Sequence, residues 1–242
     1  MKRYVLVIKT ASAKPFPILL PIVKTVFISL LVINAGSVQA QQSNVVAEDT
    51  AYIRVVNERA GKIVAVLGIT DQKKYQEVQD IIARQYRNLN QIHEASKLTA
   101  AKLKQDSSLS KDARTAALQQ EETAKEQKLG QLHAVYVKQL QSSLTAEQVE
   151  KVKDGMTYRV LPITYEAHLD MIPSLTDEQK KQIYAWLIEA RDHAMDAESS
   201  DKKHWWFGKY KGRINNYLAA QGYDLKKERE GWEIRKKEKA DK

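Results

Sequence analysis

The chain has no cysteine in 242 residues. Disulfides, thiolate metal ligands, a cysteine nucleophile and acylation at a lipoprotein cysteine are therefore all excluded, and packing alone must hold the fold. Glycine and proline are also scarce, at nine and five, and Pro15, Pro17 and Pro21 fall in the first forty residues. So few turn formers leave little room for a strand-rich fold. Gly-rich phosphate loops, a GxGxxG fingerprint and a serine-elbow sequence are missing too, and nothing in the spacing spells out a reaction.

What is present begins with a leader. Residues 1–40 carry Lys2, Arg3, Lys9, Lys14 and Lys24 without one acid, then an apolar run from Val26 to Ile33 and the small-residue pattern Val38-Gln39-Ala40. This predicts a signal peptide cut after Ala40 and a mature protein in the periplasm or outside the cell. The alternative is a retained anchor built from Ile18 to Ile33, although the run is short for a membrane span. Without a leader anchor, no stable membrane insertion is expected.

Cleavage also changes the charge. The formal +9 loses five cations and falls to +4, with most of the excess after Lys202. A bias so small does not suit nucleic acid, whose backbone calls for a dense basic surface.

The mature chain repeats apolar residues at three- and four-residue steps, which predicts an all-α fold: a helical bundle with a long antiparallel helical hairpin. A single domain is expected over 41–242, with the hairpin at 71–142, a C-terminal bundle at 143–225 and a charged tail at 226–242; a charged helix follows Asp224, and the last dozen residues fray. The first helix should span Val45 to Leu67 and end before Gly68. Asp71 should cap a second helix of about 50 Å, broken at Asp106-Ser107-Ser108, and Ser110 should cap the third.

The hairpin base has large apolar residues such as Val78, Ile82, Leu89, Tyr136 and Leu140. Its tip, Ser96 to Lys102 and Gln119 to Lys128, is mostly small or polar, and reads as a projecting spacer or a partner-binding arm. Two echoes, Leu144-Thr-Ala-Glu-Gln148 and Leu175-Thr-Asp-Glu-Gln179, have the spacing of capping boxes that start helices. Between them Met156 to Pro173 reads as a loop, and loops on a helical scaffold often carry function.

The helix expected from Ser200 to Ala220 is the most informative segment. At about 100° per residue, Trp206, Phe207, Tyr210, Ile214, Tyr217 and Leu218 share one apolar stripe, while Trp205 points away from it beside Gly212 and Asn216. An indole beside bare backbone offers a flat surface on which the C–H face of a sugar ring can stack. Asn215, Asn216, Lys209 and Arg213 would hydrogen-bond its hydroxyls or carboxylate. The competing reading packs Trp205 beneath the tail near Trp232.

Tyr165, His168 and Asp170 add polar candidates from the expected loop, and Glu166, His168 and Asp170 could supply a general base with an orienting carboxylate. Glu189, Asp192, His193 and Asp196 lie close in sequence, but no second histidine completes a zinc spacing, so no metal is expected. No cofactor and no catalytic residue is assigned. His93, His133 and His204 lack partners at short range.

With Leu144-Thr-Ala-Glu-Gln, Lys153-Asp-Gly-Met-Thr-Tyr158, the Tyr165-to-Pro173 segment, His193-Ala-Met-Asp-Ala197 and Trp206-Phe-Gly-Lys-Tyr-Lys-Gly-Arg-Ile-Asn-Asn-Tyr217 in view, the chain resembles an exported bacterial family. That family is domain of unknown function three-eight-two-six. The resemblance spans nearly all the mature chain, and it implies sugar binding in bacteria that degrade polysaccharides. It transfers no catalytic residue.

A looser similarity, confined to the two Leu-Thr-x-x-Gln segments, is to periplasmic stress chaperones. The resulting expectation is an exported, non-catalytic carbohydrate-binding or polysaccharide-utilisation accessory protein. A chaperone-like stress protein is the alternative, and a polysaccharide lyase or hydrolase using Tyr165, His168 and Asp170 stands third.

Overall fold

In the computed structural model the backbone is described for residues 36–241 and side chains for residues 50–241. The leader and anchor expectations lie outside the described residues, apart from the short backbone stretch 36–40. The described chain is all-α, with eight helices and no strand. Asn44 to Lys242 make up one compact unit.

Helix α1, Gly36–Val64, starts earlier and ends earlier than its apolar pattern predicts. A turn closed by Leu67 N–H donating to Val64 O brings Leu67 into the core, and Gly68 takes a left-handed φ of 70°. Helices α2, Gln72–Gln105, and α3, Lys111–Ser143, form the expected hairpin. The Asp71 carboxylate accepts from Lys74 N–H and the Ser110 hydroxyl accepts from Ala113 N–H, so both helices start at the predicted caps. Their base buries Val78, Ile82, Leu89, Tyr136 and Leu140 with α1; the tip buries almost nothing.

Both capping boxes form. Thr145 and Gln148 start α4, Ala146–Met156, and Thr176 and Gln179 start α6, Asp177–Met195. Gln148 also donates to Leu67 O at 2.9 Å, tying α4 to the end of α1. A Cβ on Gly155 would lie 2.9 Å from Ile63, so α4 packs against α1 only because this position is glycine.

The expected loop at 156–173 is instead largely helix: α5, Val160–Met171. Pro162 does not prevent this, because it sits in the first turn, where a backbone N–H has no helical acceptor to lose. The reversal before it is made without glycine, by Tyr158 and Arg159 in the left-handed region at φ 57° and 56°. Arg159 N–H donates to Asp154 O at 2.7 Å and closes the end of α4.

Helix α7, Ser200–Ala220, is continuous through Gly208 and Gly212 and packs along α6. The charged helix expected after Asp224 is α8, Leu225–Ala240, and it extends into the last dozen residues, which were expected to fray. It docks on the C-terminal end of α5: Trp232 Nε1 donates to Asp170 Oδ2 at 2.6 Å, and Arg235 donates to the carbonyls of Asp170 and Met171 at 2.9 and 3.1 Å. A guanidinium on the exposed carbonyls of a helix end is a favourable use of the dipole, which composition alone does not reveal.

Candidate functional site

The outer face of α7 is built by the burial of its inner one. Phe207, Tyr210, Ile214 and Leu218 are buried against α5 and α6, and that stripe leaves Trp205 52% exposed. Trp206 does not go fully inward. Its ring stacks on His193 of α6 at 4.2 Å and meets Trp205 edge-on at 5.0 Å, so the exposed indole is braced from one side.

Lys202 and Lys209 place their ammonium groups 5.3 and 5.6 Å from the Trp205 ring. A Cβ built on Gly208 or Gly212 meets nothing within 4 Å, and the surface beside the indole is open. Trp205, Gly212 and Asn216 align within about 20° along the helix, over a strip of about 16 Å. That length suits several sugar units rather than one ring. The alternative in which the tail covers Trp205 does not occur, since Trp232 is bonded to Asp170.

Other candidates go elsewhere. Arg213 faces α6, with its guanidinium 4.6 Å over Trp186 and 3.4 Å from Glu189, and is committed to packing rather than to the rim of the indole. Asn215 is half-buried and Asn216 exposed.

Tyr165 lies edge-on to Tyr184 at 5.0 Å. His168 is buried, with Nδ1 2.7 Å from Thr164 O and Nε2 without a partner. Burial lowers its pKa despite the bond to Thr164, and Lys211 nearby acts in the same direction as burial. Asp170 is taken by α8, and its carboxyl is held below the usual range chiefly by the Trp232 N–H and further by Lys239 and Arg235.

A helix turns alternate residues by about 200°, so Glu166, His168 and Asp170 cannot converge as they would on an extended loop. Nor do they join Trp205. From the same segment Tyr158 stacks on His204 of α7 at 5.4 Å, and Leu161 shares the core with the buried stripe of α7.

The acids near His193 are likewise dispersed. Glu189 pairs with Arg213, Asp192 lies 3.7 Å from Lys153, and Asp196 accepts from His133 Nδ1 at 2.8 Å. No group of three metal-ligating side chains occurs among the described residues. His93 Nε2 lies 2.7 Å from Asp196 O. Thus His93, His133 and His204 do have partners, each distant in sequence. The His133–Asp196 bond raises the histidine pKa against the effect of burial, with Asp196 and Asp192 adding to the rise and Lys153 opposing it.

A family model described as a protein of unknown function, DUF3826, matches residues 53–239. The chain belongs to this family. The match runs from α1 into α8, so it covers both the hairpin and the Trp205 helix of the DUF3826 fold. No curated protein matches the chain.

Two features escaped the sequence. One is Arg191, 2% exposed, which pairs with Asp154 at 2.6 Å and with Glu150 and so bolts α6 to α4. The other is a cavity of about 920 Å³ between α1, α2, α3, the α4–α5 turn and the start of α7, lined among others by Arg59, Tyr86, Tyr158 and Lys203. The only local signal for it was Tyr158-Arg159, and nothing in those two letters announces a left-handed backbone.

Proposed function

We propose that this DUF3826 protein is an exported, non-catalytic carbohydrate-binding accessory protein of polysaccharide use, and that it holds its glycan along the outer strip of α7. The observation that carries the reading is Trp205: a braced, half-exposed indole with two lysine ammonium groups within 5.3 and 5.6 Å of its ring centroid and open glycine backbone beside it. Indole faces stack on sugar C–H groups, while ammonium and amide groups satisfy the rim. Of the rim residues first considered, Lys209 and Asn216 keep that role, and Arg213 does not, being engaged by Trp186 and Glu189. Export rests on the composition of the leader.

The chaperone reading gains nothing separate, because the capping boxes account for both Leu-Thr-x-x-Gln segments. The lyase or hydrolase reading is weakened by the separate engagements of Tyr165, His168 and Asp170.

Calorimetry of the full mature chain against pectic, other plant and host glycans tests the proposal. At least one oligosaccharide should bind, and Trp205→Ala should weaken it tenfold or more, about 1.4 kcal/mol. Absence of binding across the panel, or equal binding by both proteins, would remove the reading.

A further inference from the structure

The cavity between α1, α2 and the start of α7 is separate from the Trp205 strip and has a chemistry of its own. Five cations line it, against three acids. Two of those acids are already occupied: Glu94 lies 3.4 Å from Lys97 and Glu122 lies 2.7 Å from Lys125. Arg59, Lys62 and Lys203 remain, opposed within the lining by Glu198, while Asp196, outside the lining, also attracts Lys203.

Among the described residues neither Arg59 nor Lys62 has an ion-pair partner or a side-chain hydrogen bond. Lys203 is 6% exposed and donates to Ala194 O and Met195 O at 2.8 and 3.2 Å, with no carboxylate bonded to its ammonium. The carbonyls that end α6 and the nearby Asp196 and Glu198 offset this buried charge only in part, since no carboxylate bonds the ammonium directly. Burial pushes its pKa down to about 8, with Arg59 adding repulsion against the pull of Asp196 and Glu198.

The first turn of α7 opens on the same space. Ser199 is its N-cap and Ser200 its first residue, and both line the cavity. The Ser199 hydroxyl caps Lys202 N–H, and the N–H groups of Ser200 and Asp201 with the positive dipole end of the 21-residue helix add to the side-chain cations. The remaining wall is neither bare nor purely charged. Tyr86 and Tyr158 contribute rings and Asn90 an exposed amide. The volume of about 920 Å³ lies within the range of small-molecule sites.

We propose that this cavity binds a small hydroxylated organic acid of the uronic-acid type. Its carboxylate meets Arg59, Lys62 and Lys203, and its hydroxylated body is recognised by the tyrosines, Asn90 and the serines at the start of α7. The carboxylate adds counter-charge to a lining in which cations outnumber acids. A flat, bidentate anion also matches the fork of Arg59 better than a point charge would. The proposal stands independently of the glycan strip.

The test is calorimetry of the mature chain with galacturonate, galactose and inorganic phosphate as probes, in wild type, Arg59→Gln, Lys62→Gln and Trp205→Ala. Galacturonate should bind, and galactose should bind at least tenfold more weakly. Arg59→Gln should lose tenfold or more, Lys62→Gln severalfold, and Trp205→Ala should stay within twofold of wild type. Both cations are exposed, and matching helical circular dichroism establishes that the variants fold.

No galacturonate binding, equal binding of galactose, or unchanged binding in both cation variants overturns the site. Phosphate binding as tight as galacturonate overturns the organic-acid class. Loss of galacturonate binding in Trp205→Ala places the acid on the α7 strip instead, which overturns this proposal while supporting the other.

Discussion

The hairpin base and the α5–α8 bundle bury their apolar residues in different ways. In the first, two helices of more than thirty residues repeat an aliphatic ladder against α1 and α4, and Tyr136 is its one fully buried aromatic. In the second, shorter helices surround a small aliphatic centre and cover it with rings, among them Trp186 edge-on to Tyr217 at 5.2 Å and Tyr165 against Tyr184. A short helix brings few turns to a core, so each position must cover more area, and large rings do that. A long helix repeats smaller contacts. Where the hairpin stops supplying them, beyond Ser96, it has no core at all.

The two regions share α6. Met195 belongs to the hairpin core, while Ile183, Leu187, Ala190 and Ala194 belong to the other, and Arg191 joins α6 to α4 between them. The sharpest way to break the comparison is there. Arg191→Ala unpairs Glu150 and Asp154 and leaves a cavity, and should cost about 3–5 kcal/mol, whereas Arg191→Met, which unpairs the same carboxylates but keeps most of the buried volume, should cost less. Urea unfolding followed by helical signal and by tryptophan fluorescence measures both. A loss below about 1 kcal/mol in the alanine variant would mean that the ion pairs do not join the two cores.

Within the hairpin, Leu140→Ala should destabilise by about 2–5 kcal/mol because the residue is fully buried at the base. Leu98→Ala near the tip should stay within about 0.5 kcal/mol. Hydrogen exchange should follow the same division, with tip amides exchanging before those around Tyr136. Equal costs would show the tip packed against something.

The smallest contrast is in pH. His133, bonded to Asp196, has a raised pKa, so its contribution is complete below its unfolded value near 6.5 and is lost as pH rises through the folded one. His168, lowered chiefly by burial, acts the other way: stability is present above about 6.5 and is lost as pH falls through its lowered value. Stability curves between pH 5 and 8 should therefore tilt in opposite directions for the two replacements. His133→Gln should be penalised most in acid, and His168→Gln should relieve an acid penalty present in the wild type. Parallel curves would contradict both assignments.

Local sequence was most informative where one short stretch settles the outcome. Asp71, Ser110, Thr145 with Gln148 and Thr176 with Gln179 each satisfy N–H groups within three residues, so the helix starts were legible. The outward direction of Trp205 was legible too, because a regular helix fixes where every side chain points once its buried stripe is known. Pro162 misled because it is compatible with either a loop or a first helical turn, and the left-handed Tyr158 and Arg159 that decide between them carry no such mark. Asp170 looked free because its partner, Trp232, lies in the last dozen residues, where a chain terminus was expected to fray.

By itself the sequence determined the helical class, the long hairpin, its weak tip and the helix face on which Trp205 stands, since periodicity and capping act over a few residues. Only the tertiary structure decided the docking of α8, the Arg191 joint and the cationic cavity. Their groups come from helices far apart along the chain, and burial, ion pairing and the opposition of unpaired charges exist only once packing has brought those helices together.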